Sequence, residues 1–574
     1  MNLPRTALTA VTLLGLAACT PSEQPADPSS STGAEAAGTS APDDDAATTS
    51  PNTSTATPPP PEPSAAPEPD PEPEPALGAA GVSAGHPLAA EAGMEMLEQG
   101  GTAVDAAIAA AFADAVTQPV SSGIGGGGVT IVAEAGSATN YDYREVVNAA
   151  GEVPADGVGA PGFVAGMQLL HEEHGTLPWQ DLLEPAIEIA EDGHPVSEFL
   201  AAALAMPLGQ EVTADLPHFR DDTGAPLGAG DTLVQTELAQ TMRTLADEGP
   251  ESLYTGSLSG DVAQVPGLDA GTLEDYEVQV SDPAAGPLGE HIFVSGAPAL
   301  PGAAIIQMAQ LAEAGGIAEV DPDSAGFVDR ISQAWLVAER SVQDSFGDPD
   351  YVDVPVDELT DPEANAAIAA DLYDGDGGTA AAPPGAYDGA PNTTHISVVD
   401  EDGTGVSMTN TVTNYWGSGR YLNGFFLNDQ LGRFGDIGAT GSNDPEPGRR
   451  SVTWSSPSMV VDQDYRPLLV LGTPGGRQIP NTTAAVVLRW ALHDQDLEEA
   501  VPAGRFILTD GELRLETPEL ADDLRGLGYP VRVIDPLYRS DFGSVQALEV
   551  DWEAGSVAGF ADDRRAAGFV LDSP

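Results

Sequence analysis

A mixed α+β fold is predicted by three observations. Long windows carry apolar residues at helical spacing, shorter ones alternate apolar and polar residues, and an Asp-Gly turn joins two of the latter into a hairpin. Pro87 to Ala115 reads as two consecutive helices interrupted at Gly100-Gly101. Further helical patterns run from Gly162 to Glu173, Trp179 to Asp192, Gln235 to Glu248, Ala303 to Ala314 and Ala325 to Gln343. Strand patterns occupy Val129 to Ala133, His291 to Val294, His395 to Val399, Gly405 to Val412 and Pro467 to Leu471. No fixed-period repeat accompanies them.

The chain has 574 residues, with 90 acidic side chains against 20 basic ones, and every basic one is Arg. The surface is therefore strongly anionic. Such a field repels nucleic-acid phosphates, so no nucleic-acid partner is expected, and adaptation to salt explains the excess of carboxylates.

Residues 1–18 read as a signal peptide, with one cation at Arg5 and an apolar run from Ala7 to Ala18 that is too short to cross a bilayer. Leu16-Ala17-Ala18-Cys19 resembles the bacterial lipobox, which makes Cys19, the single cysteine, the expected lipidation site. Residues 19–78 are rich in Pro, Ser, Thr, Asp and Glu and cannot bury a core. They are expected to form a disordered tether. The chain would then stand at the outer face of the bacterial cell membrane, anchored through lipid on Cys19.

Several motifs lose weight in context. Gly123-Ile124-Gly125-Gly126-Gly127-Gly128 fits the dinucleotide fingerprint, but a helix precedes it and a strand follows, the reverse of what pyrophosphate binding requires. A close backbone approach is the better reading. Gly81-Val82-Ser83-Ala84-Gly85 matches a nucleophile elbow but has no run of strands before it. His171-Glu172-Glu173-His174 lacks the i, i+4 spacing of a zinc helix, and no metal site is expected.

The informative stretch is Asn392-Thr393-Thr394-His395-Ile396-Ser397-Val398-Val399-Asp400, a turn at Asp402-Gly403, then Gly405-Val406-Ser407-Met408-Thr409-Asn410-Thr411. Facing residues of an antiparallel hairpin have a constant sum of residue numbers, here about 804 to 805, so Thr393 faces Thr411 to within one residue. Two facing hydroxyls can form an ordinary cross-strand pair, or one can hold the other as a nucleophile.

This segment resembles the processing site of the γ-glutamyltransferase (γ-glutamyl transpeptidase) family. PLAAEAGMEMLEQGGTAVDAAIAAAF, SSGIGGGG, YREVVNAA, FGDPDYVDVP, TTHISVVD, GTPGG and GSVQALEVDWEAGSVAGFADDRRAAG are similar to family blocks in family order. The resemblance implies an αββα N-terminal-nucleophile hydrolase sandwich. It would be made as one precursor that cuts itself between Asn392 and Thr393 into a large subunit (79–392) and a small one (393–574), which remain together as a heterodimer.

Thr393 would then be the nucleophile, with its freed α-amine as internal base, and no cofactor is needed. By the resemblance Thr411 supports the nucleophile, Gly475 and Gly476 supply the oxyanion hole, and Arg144 and Gln430 bind the substrate. The chain departs from the family at Thr413 (usually Asn), Arg433 (usually Asp, which binds the substrate ammonium), and Thr453-Trp454 (usually two Ser). The segment Gly435 to Arg450 is shorter than the family lid, so an open pocket is expected. The expected substrates are γ-glutamyl amides. The alternatives are glutaryl, other dicarboxylic or poly-γ-glutamyl amides, or a binding lipoprotein that keeps the fold without turnover.

Overall fold

The computed structural model describes residues 76–374, 392–435, 437 and 441–572. The signal peptide, Cys19 and nearly all of the expected tether lie outside the described residues.

Two antiparallel sheets form the centre. The first has seven strands, in the order Gly568–Asp572, Ala80–Ala84, Thr394–Val399, Gly405–Thr411, Gly127–Glu134, Ser137–Asp142 and Gln279–Ser281. The second has six, in the order Ser556–Ala561, Gln546–Asp551, Pro467–Gly472, Ser458–Val461, His291–Ser295 and Ala284–Leu288. Alternation along the strands sorts side chains between two layers. Ile131, Ala133, Val399, Val294, Met459, Val470 and Leu548 fill the space between the sheets. Val82, Val132, Ile396, Val398, Val406 and Met408 face outward onto helices. On the far side Phe293, Val460, Leu469 and Leu471 pack beneath the helices Gly302–Ala314, Ala325–Ser345 and Ile479–His493. The result is the expected αββα sandwich.

The two expected N-terminal helices are Pro87–Glu98 and Ala103–Thr117. The second begins with a capping box, Thr102 accepting from the Asp105 N–H and Asp105 from the Thr102 N–H. Every residue of it is buried, so its apolar residues run all round rather than in a stripe. Truncating Phe112 at its centre would cost about 3 to 5 kcal/mol.

The Gly-rich run is built for close approach of backbones. Gly127 and Gly128 open a strand that pairs with Thr411 and Asn410, and a Cβ placed on Gly126 would stand 2.2 Å from the Thr411 carbonyl oxygen. Ser83 lies inside the buried strand Ala80–Ala84, opposite Ser397 and Phe569, where no substrate reaches it. His171 and His174 turn to separate partners, the Leu177 carbonyl at 2.8 Å and the Tyr141 hydroxyl at 2.7 Å.

Candidate active site

The hairpin Thr394–Val399/Gly405–Thr411 sets the geometry. Asp400 closes its turn by accepting from the Thr404 N–H at 2.9 Å, and Gly403 takes the left-handed φ of +88° that the turn demands. The other Asp400 oxygen accepts from Ala103 N–H at the start of the buried helix, also at 2.9 Å, which ties the hairpin to that helix. The register pairs Val399 with Gly405 and Thr394 with Asn410. Thr393 consequently meets Thr411, with 3.3 Å between their Oγ1 atoms.

With the bond intact, the Asn392–Thr393 peptide is held from several sides. Thr393 Oγ1 lies 2.5 Å from the Asn392 carbonyl oxygen, and the Thr411 hydroxyl donates to the same oxygen at 2.8 Å. Thr411 Oγ1 in turn accepts from the Thr413 N–H at 2.8 Å, a contact made possible by the left-handed φ of +86° at Thr413. The Asn392 side chain is buried and fully engaged. Its amide donates to Ser121 Oγ (2.7 Å) and the Val120 carbonyl (3.2 Å), while its Oδ1 accepts from Thr393 N–H (3.0 Å) and from Arg565 (2.7 Å). A hydroxyl pressed against its own preceding carbonyl, with a donor already on the carbonyl oxygen, is arranged for an N-to-O acyl shift.

His395, two residues after Thr393, is a weak base in this setting. His395 is enclosed by Thr409, Ser397 and Ser407, and burial pushes its imidazole down to about 3.

A small recess is lined by Thr393, Thr411, Thr413, Gln430, Arg433, Thr453, Trp454, Ser455 and Gly476. Most of the residues singled out in the sequence therefore converge there. Gln430 links the floor, accepting from the Thr413 hydroxyl at 2.7 Å and donating to Ser451 Oγ at 2.9 Å. Arg433 ends the short turn Gln430–Arg433 beside Asp429. Burial pushes that carboxyl up, and Asn414 and Arg433 pull it back. Trp454 stacks at a tilt on Trp335, ring centres 5.6 Å apart. The recess has a volume of only about 10 Å³. Part of the short lid segment from which an open pocket is expected (436 and 438–440) lies outside the described residues.

Two residues stand apart from the recess. Gly475 faces an adjoining hollow, while its neighbour Gly476 opens the turn leading into the helix Ile479–His493 and faces Thr393. Arg144 is wholly buried one layer behind. It grips Asp142 through Nε (2.9 Å) and one terminal nitrogen (2.6 Å), and gives the other to the Ser451 carbonyl (2.6 Å). Burial alone would raise Asp142, but Arg144 and Arg450 outweigh it and hold the carboxyl below its usual range. In the uncut chain Arg144 thus braces Ser451, and through it Gln430.

Sequence reasoning missed Arg565, Ser121 and Val120 as partners of Asn392. Only the paired arginines of Ala561-Asp562-Asp563-Arg564-Arg565, in a chain so poor in cations, hinted at the first.

A family model described as gamma-glutamyltranspeptidase matches residues 89–571. The chain is 32% identical over 493 residues to the capsule biosynthesis protein CapD proenzyme of Bacillus anthracis, covering 85% of this chain and 90% of that one. It is also 32% identical over 550 residues to a glutathione hydrolase proenzyme of Pseudomonas aeruginosa, covering 86% and 95%. Among solved structures, cephalosporin acylase from Bacillus halodurans superposes with a TM-score of 0.76 at 22% identity, covering 89% of this chain and 98% of that one, a likeness of fold.

Proposed function

Because the chain belongs to the gamma-glutamyltranspeptidase family of N-terminal-nucleophile enzymes, we propose that it cleaves itself between Asn392 and Thr393 and then transfers acyl groups from amides through an ester on Thr393. The observation that carries this reading is the Thr393 hydroxyl, 2.5 Å from the Asn392 carbonyl oxygen that Thr411 also holds. Attack by Oγ1 forms the C–O bond and places negative charge on that oxygen. The C–N bond then breaks, the amide nitrogen takes the proton, and water hydrolyses the ester to leave an Asn392 carboxylate and a Thr393 α-amine.

A free α-amine ordinarily titrates near pH 8, roughly, so the one on Thr393 can accept the hydroxyl proton when a substrate amide arrives. Gly476, with Gly475, offers backbone N–H groups to the new oxyanion, each worth about 3 kcal/mol when well aimed. The acyl recess suits a chain ending in a carboxylate, as in γ-glutamyl or glutaryl amides, since Arg433 lines it. The acyl group passes to water or to an amine. A large subunit (79–392) and a small one (393–574) would stay together through the shared sheet, in which the Ala80–Ala84 and Thr394–Val399 strands are neighbours.

The deciding experiment is Thr393→Ala, run on a denaturing gel and assayed with acyl anilides. It should give one uncut chain without turnover, and two subunits in that variant would refute the assignment. The location belongs to the same reading. Among the described residues no helix is long and apolar enough to cross a membrane. The lipobox at Leu16 to Cys19 supports anchoring at the outer face, and Cys19→Ser should release the protein from the membrane fraction.

A further inference from the structure

Next to the small acyl recess lies a larger hollow of about 600 Å³, which shares Trp454 with the recess and has Gly475 in its wall. Its walls carry Arg477, Arg514, Arg532 and Arg565, four of the 20 basic residues in a chain with 90 acidic ones. Resting on the Thr393 reading above, we propose that this hollow binds the amine component of the reaction, the donor's leaving group and then the attacking amine. We further propose that it selects an extended chain bearing two or more carboxylates.

Position is the first argument. Arg565 lines the hollow and at the same time donates to Asn392 Oδ1 at 2.7 Å, so a single guanidinium joins the hollow to the bond that Thr393 attacks. Asn392 is the acyl side of that bond, and once the bond is hydrolysed Asn392 becomes a free chain end whose departure releases Arg565 to a substrate. The acyl recess around Gln430 and Arg433 meets the hollow at Trp454 and at the Gly475-Gly476 step, so an amide held at Thr393 with its acyl part in the recess has the hollow beside it for its amine part.

Charge is the second argument. Arg565 spends its donors on neutral groups, Asn392 and the Ser540 carbonyl (3.1 Å), and lies 4.8 Å over the Phe199 ring. Arg514 and Arg532 are about half exposed and, among the described residues, hold long ion pairs of 3.9 Å, to Asp510 and Glu512. Arg477 is the committed member, bound to the buried Glu339 and 3.8 Å from Asp510. Three carboxylates also line the hollow. Asp510 is shared between Arg477 and Arg514, and Asp535 accepts from the Leu537 N–H at 3.0 Å. Burial pushes Asp541 up in spite of Arg565 and Arg514. That leaves Arg565, Arg514 and Arg532 able to take a ligand's carboxylates.

The rest of the molecule makes the sign of the effect diagnostic. With a formal net charge of −70 the protein repels anions, so each carboxylate added to an acceptor should weaken its use unless it meets a guanidinium. The test uses the self-cleaved protein, an acyl p-nitroanilide donor whose leaving group is neutral, and peptide acceptors sharing one N-terminal residue but carrying zero to three carboxylates. Acceptor kcat/KM should rise at least about threefold with each of the first two carboxylates, and less in added salt.

The slope should flatten in Arg565→Gln and in the double variant Arg514→Gln with Arg532→Gln. The double variant leaves Asn392's partners alone, so it remains informative if Arg565→Gln disturbs self-cleavage. A flat or falling series in the unmutated enzyme, or an unchanged slope in the double variant, overturns the proposal. Those outcomes come with nitroaniline release intact, whereas one uncut chain that releases none would instead overturn the Thr393 reading and the amine site with it.

Discussion

The Thr411 hydroxyl donates to the Asn392 carbonyl oxygen at 2.8 Å, so the group expected to steady the mature nucleophile already stands where the oxyanion of self-cleavage forms. One aimed donor is worth about 3 kcal/mol, on the order of a hundredfold in rate. Thr411→Val keeps the shape and loses the donor. It should slow conversion of the intact chain into two subunits by about that factor, followed as a time course on denaturing gels. Thr411→Ser should restore most of the rate, and wild-type cleavage in the Val variant would remove Thr411 from the mechanism.

The strand carrying Thr411 has a second control point at Gly126. A Cβ there would meet the Thr411 carbonyl oxygen at 2.2 Å, and backbone cannot yield as a side-chain tip can. Gly126→Ala should destabilise the fold by about 1 to 3 kcal/mol and slow self-cleavage by displacing Thr411. A thermal melt and a processing gel read both effects. Unimpaired processing with a lowered melting temperature would show that the strand shifts without moving the hydroxyl.

Local chemistry made much of the site legible. The Asp-Gly turn sets the hairpin register, and the Thr393–Thr411 pairing follows from counting. What escaped depends on distance along the chain or on burial from both sides. Arg565 reaches Asn392 across 173 positions, and no local pattern encodes that contact. The strand Ala80–Ala84 hides in a run of small residues because packing leaves no room for larger ones, a Cβ on Gly81 meeting Leu571 at 2.8 Å. Arg144 was expected at the substrate, and in the uncut chain Asp142, two residues earlier, holds it. The small volume of the recess was also hidden, since loop length says nothing of how Trp454 and Arg433 pack.

A pH dependence follows from Glu145, which is fully buried with both carboxylate oxygens unpartnered among the described residues. Burial pushes its carboxyl from 4.5 up to about 8. Between those values the folded chain holds a proton that the unfolded chain releases, so this contribution to stability is complete below pH 4.5 and is lost as pH rises to 8. Buried His395, pushed down to about 3, works the other way and costs stability as pH falls below 6.5. Glu145→Gln cannot ionise. Its stability relative to the unmutated protein should therefore grow from pH 5 to 8, by up to about 1.4 kcal/mol per unit, measured as urea midpoints. A difference that stays constant with pH would mean that Glu145 is charged inside the fold.

Arg433 is predicted to set which acyl group is preferred. It lines the recess with Thr393, at the position where the family usually has an Asp that binds the substrate ammonium. A guanidinium there repels an α-ammonium and attracts a carboxylate, so glutaryl anilides should match or exceed γ-glutamyl anilides in kcat/KM. Arg433→Asp should reverse that order. An ion-pair reversal of this kind is worth roughly 2 to 5 kcal/mol when desolvated, on the order of thirtyfold or more in the ratio. Thr393, Thr411 and Asn392 are untouched by the substitution, so self-cleavage should proceed and two subunits should appear on the gel. The introduced carboxylate would also stand beside Asp429, whose carboxyl is already raised by burial, so the ratio should be followed as a function of pH. An unchanged ratio in a fully processed variant would place the Arg433 charge outside acyl recognition and leave the substrate amine to another group.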